Sequence, residues 1–241
     1  MPKAPSMFGS RAQPGASTLD PTILIGDVHG CVDELERLLK LLRVGRQERL
    51  VLVGDLVAKG PDSQGVVACA REYGALGVRG NHDEAVLRYL RALRADLEPP
   101  KTKSGHRLVA SQLHPEDEQY LEALPTWLRL PELNTLVVHA GLVPGIAPEA
   151  QAPKNLLTMR TIRPDGSASS KLDEGRPWAE LWQGPEQVVF GHDALSGLQR
   201  HPFATGLDTG CVYGNELTAL ILPEGRLVSV PARRAYQELN A

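Results

Sequence analysis

Cysteine is scarce in this chain. Three residues, Cys31, Cys69 and Cys211, are spread across 241 positions. So few, odd in number and far apart, they argue against a disulfide framework and favour a reducing compartment. Long hydrophobic runs are missing too, so nothing in the sequence reads as a membrane span. Charge of one sign is also lacking, since 26 Lys and Arg face 29 Asp and Glu. That balance gives no support to a nucleic-acid coat or a membrane-surface protein. The first twenty residues carry Lys3 and Arg11 but no apolar core of a signal peptide. Rich in Pro, Gly, Ser and Ala, they read as a loose tail. The expectation is a soluble, cytoplasmic protein.

The length fits one domain, expected over 21–232 between an N-terminal tail (1–20) and a C-terminal tail (233–241). The first half alternates strand and helix. Apolar strands are expected at 22–25, 49–53 and 76–78. Helices are expected at 31–43, where Leu35, Leu38, Leu39 and Leu42 recur at helical spacing, then at 63–73 and 82–97. The stretch 98–107 reads as a polar loop, 116–124 as a helix and 135–138 as a strand. Residues 144–176 read as irregular, and 187–190, 203–207, 217–222 and 227–230 as short strands. Strand–helix alternation of this kind is what an α/β layered architecture requires.

Five of these strands end in a polar residue. The segment ILIGDVHG delivers Asp27 and His29, and LVLVGD delivers Asp55. GVRGNHD delivers Asn81 and His82, VVHAGL delivers His139, and FGHD delivers His192. Taken singly, Asp27 and Asn81 are ordinary helix N-caps, Asp55 a turn residue, and each histidine a core or turn residue. Together they stand outside the carboxyl ends of strands, where open α/β sheets bind ligands.

Asp27, His29, Asp55, Asn81, His139 and His192 offer only oxygen and imidazole nitrogen. That set suits Mn, Fe, Co, Ni or Zn rather than a thiolate site. Two ions fit better than one, because Asp55 can bridge them, with Asp27 and His29 on one side and Asn81, His139 and His192 on the other. Ion pairs about 3.5–4 Å apart serve in-line displacement at phosphorus. The expected chemistry is hydrolysis of phosphoryl esters or anhydrides.

The ordered motifs GDVHG, GDLVAKG, GNHD, HAG and GHD resemble those of the calcineurin-like metallophosphoesterases, within the PPP phosphatase superfamily. The resemblance runs over about 22–222. It implies a single-domain sandwich of two mixed β-sheets flanked by helices, with a dimetal centre, for which manganese is expected ahead of Fe, Co, Ni or Zn. GDLVAKGPDS and GLDTGCVYGNELTAL look like the branch of symmetrical diadenosine tetraphosphate hydrolases and their shorter phosphatase relatives. The resemblance implies that His82 serves the leaving group and that Lys59, Arg160 and Asn81 bind substrate phosphate. Protein Ser/Thr phosphatases read GDYVDRG at the second motif, so Ala58 stands where an aspartate supports the catalytic histidine.

That departure favours anhydride substrates, whose nucleoside diphosphate leaving group is a stable anion. Asp83, Asp193 and Asp208 are carboxylates placed to fill the gap. The expected activity is symmetrical cleavage of diadenosine tetraphosphate to two ADP. The alternative is a phosphoprotein phosphatase, favoured by Arg79 and by a short 98–130 segment. Hydrolysis of RNA ends has no support from charge, and a non-catalytic binding module would have lost ligands. Trp178 and Trp182, one helical turn apart, read as core rather than as adenine platforms. Lys101, Lys103, His106 and Arg107 read as a solvated basic loop or a contact for a polyphosphate chain. Cys31 reads as structural, packed near Cys211.

Overall fold

The structure, a computed structural model, describes residues 20–45 and 48–238. The N-terminal tail read from the sequence lies outside the described residues, apart from Asp20. In chain order the strands are β1 (Thr22–Ile25), β2 (Arg49–Leu52), β3 (Leu76–Gly77), β4 (Trp127–Leu130), β5 (Thr135–Val138), β6 (Thr161–Ile162), β7 (Ala168–Ser169), β8 (Arg176–Pro177), β9 (Gln187–Phe190), β10 (Gln199–Arg200), β11 (Ala204–Gly206), β12 (Glu216–Leu222) and β13 (Arg226–Pro231). The helices are α1 (Val32–Leu42), α2 (Ser63–Glu72), α3 (Asn81–Arg94), α4 (Ser104–Gln112), α5 (Pro115–Ala123), α6 (Pro153–Thr158) and α7 (Trp178–Leu181).

Two five-stranded sheets face each other, ordered β13-β12-β1-β2-β3 and β10-β11-β9-β5-β4. Both are mixed. β1 pairs parallel with β2 and antiparallel with β12, while β9 pairs parallel with β5 and β11. The expected sandwich of two mixed sheets is therefore the fold observed.

Residue alternation along the strands explains the layers. Ile23, Ile25, Leu50 and Leu52 point outward to a core shared with Leu35, Leu38 and Leu39 of α1 and Val66 and Val67 of α2. Their strand neighbours Leu24, Val51 and Val53 point inward and meet Val137, Val189 and Leu207 of the second sheet. On that sheet's far side Leu136, Val138, Val188 and Phe190 pack with Met159 and Trp178. Strands buried on both faces read as unbroken apolar runs, as 23–25 and 136–138 do.

The parallel strands place their carboxyl ends along one rim. β1, β2 and β3 end there from one sheet, and β5, β9 and β11 from the other. Every polar residue singled out at a strand end follows one of these strands.

Several segments depart from the sequence expectation. The polar loop 98–107 is interrupted, because α4 starts at Ser104. Its buried residues His106, Val109 and Ala110 form one helical face against the α1/α2/α3 core. The stretch 144–176 is not irregular throughout. It holds α6 and a small sheet ordered β7-β6-β8, tied by Glu174, which accepts from Arg163 Nε at 3.0 Å and Ser169 Oγ at 2.6 Å. Strand β4, which pairs antiparallel with β5, was not expected. The segment read as a C-terminal tail is docked as far as it is described. Glu34 Oε1 accepts from Arg233 N at 2.9 Å and Tyr236 Oη at 3.1 Å.

Candidate active site

All six expected ligands meet at the rim. Asp27, His29, Asp55 and His139 are buried, while Asn81 and His192 are half-buried. Asp55 lies in the middle: its Oδ2 is 3.4 Å from His29 Nε2 and 3.4 Å from His139 Nε2. Asn81 Oδ1 lies 3.1 Å from His139 Nε2. Asp27 accepts the His192 N–H through Oδ1 at 3.1 Å and Oδ2 at 3.2 Å, linking the two sheets.

Backbone carbonyls settle the tautomers of two histidines. His29 Nδ1 is 3.1 Å from Val57 O, and His139 Nδ1 is 3.0 Å from Val53 O. A carbonyl only accepts, so each Nδ1 carries the proton and each Nε2 faces the carboxylates. Metal-ligating histidines are oriented in this way.

The backbone is bent to achieve this. His29, Asp55, Lys59 and His192 have φ of 48°, 51°, 67° and 70°. Non-glycine residues in the left-handed region cost energy and cluster at functional sites. Glycines admit the close approaches: a Cβ at Gly80 would strike Asp55, and one at Gly191 would strike the Asp27 carboxylate.

Electrostatics make the cluster demand positive charge. Burial raises Asp27 above the usual carboxylate range, and nearby Asp208 adds to it. Burial also lifts Asp208 to about 6. Burial lowers His29 to about 4 and His82 to about 2. Burial opposes protonation of His139 as well, but Asp55 and Asp27 outweigh it and hold the group up at about 10. Among the described residues, His192 Nε2 is buried without a hydrogen-bond partner. Three buried carboxylates, an orphaned imidazole nitrogen and an all-O/N donor set fit divalent cations.

The residues expected to meet substrate lie around this cluster. Lys59 Nζ is 2.8 Å from His29 Nε2 and 5.2 Å from the centre of the Tyr213 ring. Arg160 reaches the other side, donating through Nη2 to His192 O at 3.3 Å and through Nε to Asp193 Oδ1 at 3.3 Å. His82 donates its backbone N–H to Asp55 Oδ1 at 2.8 Å.

None of the three carboxylates considered as a partner for the His82 ring bonds to it. Asp83 Oδ1 accepts the N–H groups of Leu56 and Val57, and its Oδ2 that of Gly80. It thus ties the Asp55 loop to the start of α3. Asp193 accepts from Arg160 and, at 2.6 Å, from Ser196 Oγ. Asp208 Oδ1 accepts from Gly210 N at 3.1 Å. The ring nitrogen His82 Nδ1 instead lies 2.8 Å from His106 Nε2. The sequence groups His106 with a solvated basic loop, yet it is buried. The signal was the apolar spacing His106, Val109, Ala110, Leu113, which marks an inward helical face. Tyr213 carried no comparable signal.

The family pattern described as Calcineurin-like phosphoesterase matches residues 21–227. The chain belongs to the calcineurin-like phosphoesterases. It is 31% identical over 242 residues to the bis(5'-nucleosyl)-tetraphosphatase PrpE [asymmetrical] of Oceanobacillus iheyensis, covering 88% of this chain and 93% of that protein. It is 29% identical over 281 residues to the symmetrical bis(5'-nucleosyl)-tetraphosphatase of Coxiella burnetii, covering 90% and 93%. A crystal structure described as a candidate diadenosine tetraphosphatase superposes with a TM-score of 0.81 at 41% identity, covering 89% of this chain and 95% of that one. Family membership implies divalent metal, and the donor set of this phosphoesterase fits that implication.

The remaining residues of the phosphoesterase singled out from its sequence have structural partners. Arg79 donates to Glu84 Oε2 at 2.7 Å and to the carbonyls of Glu122 and Leu124. Trp178 is buried, donates Nε1–H to Ala140 O at 3.0 Å and packs edge-on to Phe190. Cys31 and Cys211 are both buried, within 4.8 Å of each other and of Glu34. No described helix is long and apolar enough to cross a membrane.

Proposed function

We propose that this phosphoesterase hydrolyses dinucleoside polyphosphates, cleaving diadenosine tetraphosphate symmetrically to two ADP with manganese as its metal. The observation that carries this reading is the convergence of five O/N side chains around Asp55, beside the Lys59 cation and an imidazole that, among the described residues, has no carboxylate partner. Two divalent ions held by Asp27, His29, Asp55, Asn81, His139 and His192 would supply Lewis acidity at phosphorus and ease deprotonation of water.

The chain's own groups do the rest. Lys59, Arg160 and Asn81 hold phosphoryl oxygens, and Lys59 and Arg160 bring positive charge to a group whose negative charge must be offset before a nucleophile approaches. Hydrolysis forms one P–O bond to water and breaks one bridging P–O bond, whose electron pair leaves with the diphosphate. His82 stands at the leaving oxygen. A diphosphate leaving group needs little protonation, which agrees with an imidazole that burial holds neutral. A bay of about 400 Å³ opens beside it, lined by Lys59, His82, Lys103, His106 and Tyr213, with room for part of a polyphosphate chain.

The phosphoprotein reading loses one of its two supports, while the short 98–130 segment stands. Arg79 is engaged in structural pairing with Glu84 and with the carbonyls of Glu122 and Leu124.

The test is product analysis after manganese loading. ADP alone from diadenosine tetraphosphate supports the proposal. ATP with AMP means asymmetrical cleavage, and no nucleotide product overturns the substrate class.

A further inference from the structure

Residue 58 is alanine, buried at 4% exposure, and it lines the same bay as the His82 ring. No carboxylate bonds to that ring among the described residues. Its Nδ1 is nevertheless occupied, because His106 Nε2 lies 2.8 Å away, with the ring centres 4.9 Å apart and the planes inclined by 39°. His106 is itself nine-tenths buried, at 7% exposure. It is held on α4 by Val109 and Ala110, which sit three and four residues on and pack into the core against α3. The helix thus presents one imidazole to another from a rigid element.

We infer that His106 is the positioning residue for His82, fixing its ring at the leaving-group side from helix α4 in place of a carboxylate. The inference rests on the role given to His82 in the proposed function. Two imidazoles can make this bond only with one N–H donated and one lone pair accepting. With Nδ1 so engaged, His82 Nε2 is the nitrogen left for substrate. A carboxylate at this position would add a negative charge beside the ring, whereas an imidazole orients it without one. Such a device suits a leaving group that needs a well-aimed hydrogen bond more than a strong acid. The inward face of α4 delivers this side chain together with Val109 and Ala110, which anchor the helix in the core.

The test uses the manganese-loaded full chain and four variants: His82→Ala, His106→Ala, His106→Gln and the double alanine. Substrates are diadenosine tetraphosphate and a series of aryl phosphates graded by leaving-group acidity. His106→Ala should lower kcat by about tenfold to a hundredfold on the poorest leaving groups, and much less on the best, with KM little changed. The double variant should be no slower than His82→Ala alone, because residues acting as one unit are not additive. His106→Gln, which keeps an N–H and a carbonyl at similar reach, should restore most of the rate. It also serves if His106→Ala fails to fold. Equal loss on every leaving group, or losses that multiply in the double variant, would mean a merely structural role and overturn the inference. If His82→Ala shows no leaving-group dependence, the role of His82 itself falls and that of His106 with it. If His82→Ala shows it and His106→Ala does not, only the present inference fails.

Discussion

Lys59 Nζ lies 2.8 Å from His29 Nε2, an ammonium against the imidazole lone pair that faces Asp27 and Asp55. Because His29 Nδ1 is committed to the Val57 carbonyl, the ammonium is the donor in this pair. The residue that followed Asp55 by four positions in the sequence therefore reaches the same centre in space. A cation here meets both the buried carboxylates and any phosphate drawn to them.

Replacing that cation should separate substrate binding from metal binding. Lys59→Met keeps the stem and removes the charge. The expected result is a fall in kcat/KM of about tenfold to a hundredfold, the worth of a charge-assisted hydrogen bond. Metal content, measured by elemental analysis, should be unchanged. Loss of metal along with activity would place Lys59 in support of His29 rather than of substrate.

Asp55 should control both metal content and stability. Asp55→Asn leaves an oxygen to accept from His82 N but removes the central negative charge. It should abolish turnover and reduce bound manganese to well below two ions per chain. Chelation of the wild-type protein should lower its Tm and manganese should restore it. At a free metal concentration a thousand times Kd, the gain is about 4 kcal/mol. Asp55→Asn should show neither change.

Asp83 should matter to folding more than its neighbour His82. Its carboxylate takes three backbone N–H groups from two segments, so Asp83→Ala leaves buried donors unsatisfied. The expected cost is about 2–4 kcal/mol of unfolding free energy, read from urea denaturation. His82→Ala, by contrast, should change kinetics with little change in stability.

Arg79 provides the control for charge near the site. It is paired with Glu84 and with two carbonyls behind α3, so Arg79→Ala should destabilise the protein by about 1–3 kcal/mol. KM for diadenosine tetraphosphate should not change. A rise in KM at unchanged stability would bring Arg79 into contact with substrate.

Much of this architecture was legible because buried strands and helix faces leave periodic apolar traces. Residues 23–25, 50–53, 136–138 and 188–190 are unbroken apolar runs, and each leads, directly or through one glycine, into a polar residue of the cluster. The convergence of Asp27, Asp55, His139 and His192 follows from parallel strands ending at one rim. What escaped depended on side chains meeting across elements. The β6–β8 sheet is tied by Arg163, Ser169 and Glu174, polar residues whose local sequence looks like loop. His106 hid behind Lys101, Lys103 and Arg107, which gave its stretch a basic, solvated look although its own helical face turns inward. Asp83, adjacent to His82 in the chain, invited pairing with that ring, but the start of α3 aims it at the Asp55 loop instead.

The central claim is that the site is built for anhydrides rather than phosphoproteins. The most direct measurement compares kcat/KM for diadenosine tetraphosphate and for a phosphoserine peptide, in one manganese-loaded preparation with Asp55→Asn as the control. Turnover of the dinucleotide should be far faster, with ADP as its sole nucleotide product and no turnover by the control. Faster release of phosphate from the peptide would contradict it, showing that His106 supports His82 well enough to expel an alkoxide.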